Sequence, residues 1–407
     1  MPLRETFVMA WRNIWRNPRR TAITSSAIGL GLAGMLVWLG FAEGMNRHMV
    51  QAATGAWLGH AQVHGQGFRK TRDLEIRIPD GAALLARVGT AAHVTAAAPR
   101  VYATGLLAIG DRSASVQAVG VDLAREPRVT DWKRRLIAGR WPAEPKDAVI
   151  GRKLADRLEV EPGARLVLTV SDAATGDLAH RLLHLSGVVA SSNALLDGRA
   201  VVLSLPALQE VLGLKDELHE VALSLDVPTG ELATMEPVLS PLRSAGLEVT
   251  PWQELAPAVA QMVEFQDVYI AVTTLMIFFI IGLGVLNTLQ MSLLERTREF
   301  GILGALGTSP RRLAELILAE AASLGVVGSI LGLCVGLVAH WPFAVYGITF
   351  TGVEMAGVSF DTALKSELQP LPWAVMTCSF VLLTTLTASW TALRAARLRP
   401  VDALRSD

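Results

Sequence analysis

Charge disappears from this chain in four long stretches. Thr21 to Ala42, Val268 to Gln290, Ala321 to His340 and Leu371 to Leu393 contain no Asp, Glu, Lys or Arg. At 1.5 Å per residue, a helix over 21–42 is about 33 Å long, enough to cross a hydrocarbon core of ~30 Å. A helix buried in a soluble protein normally keeps a polar face, and none of these stretches has one. The pattern therefore predicts four spans, at 21–42, 268–290, 313–341 and 371–393. Glu315 and Glu320 fall in the first turns of the third span, where water, Arg311 or Arg312 is expected to meet them. Asn287 is expected to hydrogen-bond across helices or to pack. The first span ends Gly40-Phe41-Ala42-Glu43-Gly44, without a convincing small-residue cleavage site, so it reads as an uncleaved anchor.

Between the first two spans the period changes. Runs of strand length appear at Val101–Ile109, Ser115–Val121, Arg165–Val170, Leu182–Val189 and His219–Leu225. Short helical patterns separate them at Gly151–Leu158 and Pro206–Leu212, and Pro79-Asp80-Gly81, Glu161-Pro162-Gly163 and Asp197-Gly198 read as turns. Residues 43–267 thus form a large mixed α/β domain. The expected fold class is an α+β membrane protein: four transmembrane helices, with this domain inserted between helices 1 and 2. Asp111-Arg112 and Asp131-Trp132-Lys133-Arg134-Arg135 read as solvated loop charges.

Residues 1–20 form an amphipathic segment. Leu3, Phe7, Trp11 and Ile14 recur at spacings of four and three, while Arg4, Arg12 and Arg16 take other faces. Such a helix lies along a membrane surface, with Phe7, Trp11 and Trp15 at the headgroup level and Arg19 and Arg20 beside them. Asn17-Pro18 breaks it before the first span.

Residues 291–312 change the picture most. A charged piece (Glu295, Arg296, Arg298, Glu299) leads into a short apolar helix, then into Gly307-Thr308-Ser309-Pro310. Phe300, Leu303 and Leu306 can share one side of that helix. An apolar face flanked by charge suits a groove on a partner protein, and equally suits packing on the chain's own bundle.

Composition then excludes several classes. Apolar residues make up 51% and charged residues 18%, and 37 Lys+Arg balance 37 Asp+Glu, without the basic excess of a nucleic-acid binder. Two cysteines exclude a disulfide-dense fold. The arginines still report orientation. Five lie in residues 1–20, the 291–312 loop holds four more, and the 394–407 tail adds Arg394, Arg397, Arg399 and Arg405. The 342–370 loop holds only Lys365 as a base. The positive-inside rule places both termini and the 291–312 loop in the cytoplasm, and 43–267 and 342–370 outside. His60 and His64 on one strand would stand ~13 Å apart along it, too far to share a metal. No catalytic, cofactor or metal residues are expected, and no G-x-x-x-x-G-K-[ST] motif is present.

The run Glu295-Arg296-Thr297-Arg298-Glu299-Phe300-Gly301-Ile302-Leu303-Gly304-Ala305-Leu306-Gly307 resembles the coupling-loop signature of the FtsX-like permease family, which includes MacB-type exporters and the LolC/LolE lipoprotein-releasing permeases. Ala10 to Arg20 and Arg394 to Arg405 resemble that family's two ends. Gly139-Arg140, Ala148-Val149-Ile150-Gly151, Leu154-Ala155 and Pro162-Gly163 resemble shorter landmarks. The resemblance implies an ABC transporter permease of the bacterial inner membrane, with the 43–267 domain MacB-like and periplasmic. It implies a cytosolic ABC ATPase dimer that holds the ATP and Mg²⁺, and a second permease copy or a paralogue. MacB-type exporters fuse that ATPase to the permease, an arrangement from which this chain departs. Thr54 to His64 resembles the opening strand of lipoprotein-releasing permeases, with Ala61 in place of a larger apolar residue. Lipoprotein release, with a periplasmic lipoprotein carrier as a further partner, is therefore the first expectation. Export of peptides, antibiotics or other amphiphiles is the second, and mechanical control of a periplasmic partner the third.

Overall fold

The computed structural model describes residues 3–71, 73–171, 177–191, 194–227, 232–244, 246–350, 354–355, 358–359 and 363–397. They fall into two compact units. One is a helical bundle within 3–46, 264–348 and 363–397; the other is built mainly on 47–263.

The bundle contains α1 (Leu3–Ile14), α2 (Pro18–Ala53), α3 (Pro257–Glu295), α4 (Thr297–Ala305), α5 (Pro310–Val345) and α6 (Pro370–Ala396). Four of these, α2, α3, α5 and α6, are long and apolar enough to cross a membrane. Each outruns its charge-free stretch, because a helix does not end where hydrocarbon does. Extensions such as Glu43 to Ala53 continue the hydrogen-bond ladder past the charge-free stretch. The first residues of the expected 291–312 loop accordingly belong to α3, and only α4 and its flanking turns connect it to α5. Ser309 precedes Pro310 at the first position of α5, where a missing N–H costs nothing. The expected 394–407 tail begins inside α6, and its residues 398–407 lie outside the described residues.

The bundle core joins Ile28, Leu32 and Leu36 of α2 to Val285 and Leu289 of α3, Ala321 and Leu324 of α5, and Trp373 and Phe380 of α6. Small residues let α5 approach α2: a Cβ on Gly332 would lie 2.7 Å from the Gly29 carbonyl oxygen. Asn287 lies on an exposed face of α3 rather than in a buried contact between helices.

The second unit carries a ten-stranded mixed sheet. Its strands are β1 (Ala61–Gly65), β2 (Val94–Ile109), β3 (Arg112–Val121), β4 (Leu136–Gly139), β5 (Asp147–Gly151), β6 (Arg165–Ser171), β7 (Leu178–Val189), β8 (Ala200–Ser204), β9 (Glu220–Leu225) and β10 (Leu247–Pro251). The order is β10-β1-β9-β2-β3-β8-β5-β7-β4, with β6 between β2 and β7. Only β3–β8 and β5–β7 are parallel among these pairs. The strand that follows α2 and the strand that precedes α3 are antiparallel neighbours, with Ala61 opposite Pro251.

Four of the five expected strand runs lie wholly in strands, and the fifth starts one residue early, at His219, before β9. Asp197-Gly198 is not a turn but part of the short helix Ala194–Arg199, and the Asp197 carboxylate accepts the Ser191 N–H at 2.8 Å. Asp131 to Arg135 is not a solvated loop throughout: Trp132 is fully buried, and its indole donates to the Ala56 carbonyl. Lys133 and Arg134 remain exposed. Arg112 pairs with Glu159 at 2.7 Å.

The core of this unit contains an ionic cluster. Arg100, Glu126 and Glu220 are all buried, with Arg100 2.6 Å from an oxygen of each glutamate. Burial opposes the Arg100 charge, but the two carboxylates outweigh it and hold its pKa above the ordinary value. Burial alone would raise Glu220; the Arg100 guanidinium reverses this and holds it at about 2.

Candidate functional site

One end of the bundle gathers α1, the start of α2, the end of α3, α4 and the first turns of α5. Their polar side chains form a run of ion pairs, Arg16–Glu299–Arg296–Glu320, and a separate pair, Arg20–Glu295. Arg16 donates to both oxygens of Glu299 at 3.0 and 3.3 Å. Arg20 reaches Glu295 at 3.0 Å and also donates to the Thr288 carbonyl. Arg296 bridges Glu299 at 3.0 Å and Glu320 at 2.9 Å, and Asn13 donates to Glu320 at 2.6 Å. Three guanidinium groups thus balance three carboxylates around a cavity of about 350 Å³. Among them, Arg296 and Arg16 hold the Glu299 carboxyl below its ordinary range, Arg296 contributing more. Burial works against the charge on Arg296, yet Glu320 and Glu299 outweigh it.

The opening segment and the loop, some 280 residues apart, are therefore one structure. Glu299 of α4 pairs with Arg16, in the turn between α1 and α2, and with Arg296 at the α3–α4 junction, while Glu295 of α3 pairs with Arg20 of α2. Glu320 pairs with Arg296 and Asn13, not with Arg311 or Arg312, because the loop turns Arg296 back toward α5. Glu315 stays exposed, as do Arg298 and Glu295.

Helix α4 is two-sided, and the expected grouping of Phe300 with Leu303 and Leu306 is corrected. Phe300 is 3% exposed and packs with Leu293, Leu313, Ile317, Ala392 and Ala395, beneath the Arg296 guanidinium. Leu303 is 36% exposed and Leu306 79% exposed. At about 100° per residue Leu303 sits about 60° round the helix from Phe300 and Ile302 about 160° round, while Leu306 follows the helix's last residue, and the bundle claims only the Phe300 side. Ile302, which the sequence reading passed over, joins the outward apolar group.

The opening helix is also two-sided. Ala10 and Ile14 are buried, so Ile14 belongs to the inward face rather than to the exposed one. Phe7, Val8, Trp11 and Trp15 are exposed, with Trp11 and Trp15 edge to face at 6.1 Å. Arg19 is exposed and Arg20 turns inward to Glu295. Sequence reasoning missed Asn13 and Glu320 as members of the chain of ion pairs. The available signal was an arginine-rich opening segment and glutamates far along the chain, which names no pairs.

His60 and His64 hold polar bonds inside the second unit. His60 Nδ1 accepts the Leu225 N–H at 2.8 Å, and His64 Nε2 lies 3.1 Å from the Gln62 side-chain Oε1 and 3.4 Å from Glu220.

A family model described as the FtsX-like permease C-terminal region matches residues 271–400, and one described as the MacB-like periplasmic core domain matches 21–237. The chain belongs to this FtsX-like, MacB-type family. Among curated relatives, it is 27% identical over 426 residues to the pyoverdine export ATP-binding/permease protein PvdT of Pseudomonas putida, with 100% of this chain and 60% of that protein covered. The chain thus spans about 60% of the length of that relative. It is 22% identical over 398 residues to the lipoprotein-releasing system transmembrane protein LolC of Neisseria meningitidis, covering 95% of this chain and 94% of LolC. The periplasmic region of MacB from Actinobacillus actinomycetemcomitans aligns in structure with 52% of this chain and 94% of its own, at 14% identity and a TM-score of 0.37.

Proposed function

We propose that this chain is the membrane subunit of an inner-membrane ABC transporter that works mechanically. A partner ATPase dimer in the cytoplasm binds ATP and Mg²⁺, and its closure pushes on α4. The bundle carries that displacement to a periplasmic domain, which pulls lipoproteins from the membrane for a periplasmic carrier. A second copy of the chain, or a related permease, completes the bundle. The observation that carries the mechanical reading is the two-sided α4. Phe300 and the ion pairs fix it to the bundle, while Ile302, Leu303 and Leu306 offer an apolar surface to a partner groove. Support for lipoprotein release comes from the Thr54–His64 stretch and from the likeness to LolC over nearly the whole chain. Export of a peptide, antibiotic or other amphiphile is the second reading, favoured by the likeness to pyoverdine exporters.

Leu303→Asp and Leu306→Asp test the contact. Each should leave the chain inserted and its periplasmic domain folded, while a carboxylate in the groove costs ~3 kcal/mol and weakens ATPase binding more than about a hundredfold. Co-purification of the ATPase and its permease-stimulated hydrolysis are the measurements. Full binding and stimulation in both variants would sink the reading. Depletion in a Gram-negative host then separates the substrates: lipoproteins stranded at the inner membrane favour release, and normal sorting with lost secretion of a small amphiphile favours export.

A further inference from the structure

The last carbonyls of an α-helix have no partner within the helix, and they concentrate partial negative charge. In this chain, α2 ends in one wide π-helical turn, Thr54–Leu58. Each of its five carbonyls is taken, the first by the turn's own closing bond and the other four from beyond it. The Gly59 N–H donates to Thr54 O at 2.9 Å, and the Asp131 N–H to Gly55 O at 2.9 Å. The Trp132 indole donates to Ala56 O. Arg100 donates to Trp57 O at 2.7 Å, and the Gln62 amide to Leu58 O at 3.0 Å. Gly59 closes the turn at a positive φ of 66°, where a Cβ would meet the Leu223 carbonyl oxygen at 2.7 Å.

Arg100 is the hub of this arrangement. The same guanidinium that caps Trp57 O forks onto Glu126 at 2.6 and 3.1 Å and reaches Glu220 at 2.6 Å. It also lies 4.2 Å above the centre of the Trp57 ring, whose indole N–H donates to the Tyr102 hydroxyl at 3.1 Å. Tyr102 in turn donates to Glu220 at 2.8 Å. The helix end is thereby bonded to β1 through Gln62, to β2 through Arg100 and Tyr102, and to β9 through Glu220. All of these residues lie within the second unit. A buried ion cluster adds little stability over an apolar core of the same shape. What it does provide is direction, since a planar fork holding three acceptors at once permits neither sliding nor rotation of the group it holds.

We infer that Arg100 is the positioning residue of a rigid grip on the end of the first long helix, through which movement of that helix passes undiminished to strands β1, β2 and β9. This rests on the mechanical reading above. The grip makes helix end and sheet one body. Without Arg100 the helix end could move while the sheet lags.

The test uses full-length chain in lipid nanodiscs, with Cys334→Ala and Cys378→Ala, and spin labels at Gln51→Cys on α2 and Thr104→Cys on β2. In the chain alone, the parent should give one narrow distance. Adding Arg100→Met should broaden it, with the protease resistance of the domain retained. In the complex with its ATPase, a non-hydrolysable ATP analogue should leave the parent distance unchanged and shift that of the variant, while ATP hydrolysis stays at the parent level because α4 is untouched. Should Arg100→Met unfold the domain, the pair Trp132→Phe with Gln62→Leu decides instead. It removes two of the carbonyl bonds, leaves the buried charges paired, and should broaden the distance in the same direction. A folded variant with the parent's narrow, nucleotide-invariant distance overturns the grip. Broadening in the chain alone, with no nucleotide response in any complex, counts against the transporter reading and leaves the grip standing.

Discussion

His219 shows how completely one side chain can be specified by its neighbours. Its Nδ1 accepts the Tyr102 N–H at 3.0 Å, and its Nε2–H donates to the Leu74 carbonyl at 2.9 Å. Both bonds together require the neutral ring with its proton on Nε2. Burial holds its pKa below the ordinary imidazole value, and it does the same to His60, whose Nδ1 accepts a backbone N–H. Between those lowered values and the ordinary value near ~6.5, the unfolded chain binds protons that the folded one refuses. Stability therefore falls as pH falls through that window. Glu220 acts with the same sign at lower pH: its contribution is complete above the ordinary glutamate value and is lost as pH drops toward its folded pKa of about 2. The expected outcome is a thermal midpoint for the second unit, followed by tryptophan fluorescence in detergent, that decreases from pH 7.5 to 5.5. A flat profile across that range would contradict the neutral tautomers.

Among the elements, α5 and α2 depend on the absence of side chains, whereas the outer face of α3 does not. Lipid offers no hydrophobic gain for helix association, so close packing has to supply it. A leucine at Gly332 would drive into the α2 backbone near Gly29. Gly332→Leu should cost ~1–3 kcal/mol or more by overpacking, read as a lower unfolding midpoint and lower membrane yield. Gly284 of α3 has open space where its Cβ would be, so Gly284→Ala should be neutral or mildly stabilising. Equal effects of the two changes would show that the α2–α5 approach is not limiting. The ion pairs among α1, α2, α3, α4 and α5 act at this scale too. They hold a nine-residue helix that is too short to be stable alone.

For the whole molecule, the expectation that can fail most plainly is orientation. A cysteine reporter at Ser171, in a background lacking Cys334 and Cys378, should react with an impermeant thiol reagent from outside the inner membrane. One at Thr308, beside α4, should react only after the membrane is opened. Reversed labelling would remove α4 from the reach of any cytosolic ATPase, and the proposed mechanism with it.

Much of this was open to reading in the amino-acid order because it depends on neighbours in sequence. Charge-free stretches of about twenty residues have few fates, and alternation over Val101–Ile109 or Ser115–Val121 is a local property of a pleated strand. The signature from Glu295 to Gly307 likewise marked α4 as the element to watch. Which charges would be buried was not open to reading, because burial is decided by partners far away in the chain. Arg100 and Glu126 look like surface residues until pairing of β2 with β9 brings Glu220 alongside. Glu320 looks like a partner for Arg311 or Arg312 until the turn after α3 returns Arg296 to it. Phe300 looks like a companion of Leu306 until the bundle takes one side of α4 and leaves the other free. Periodicity names the faces of an element from its own residues; only the packed structure says what each face meets.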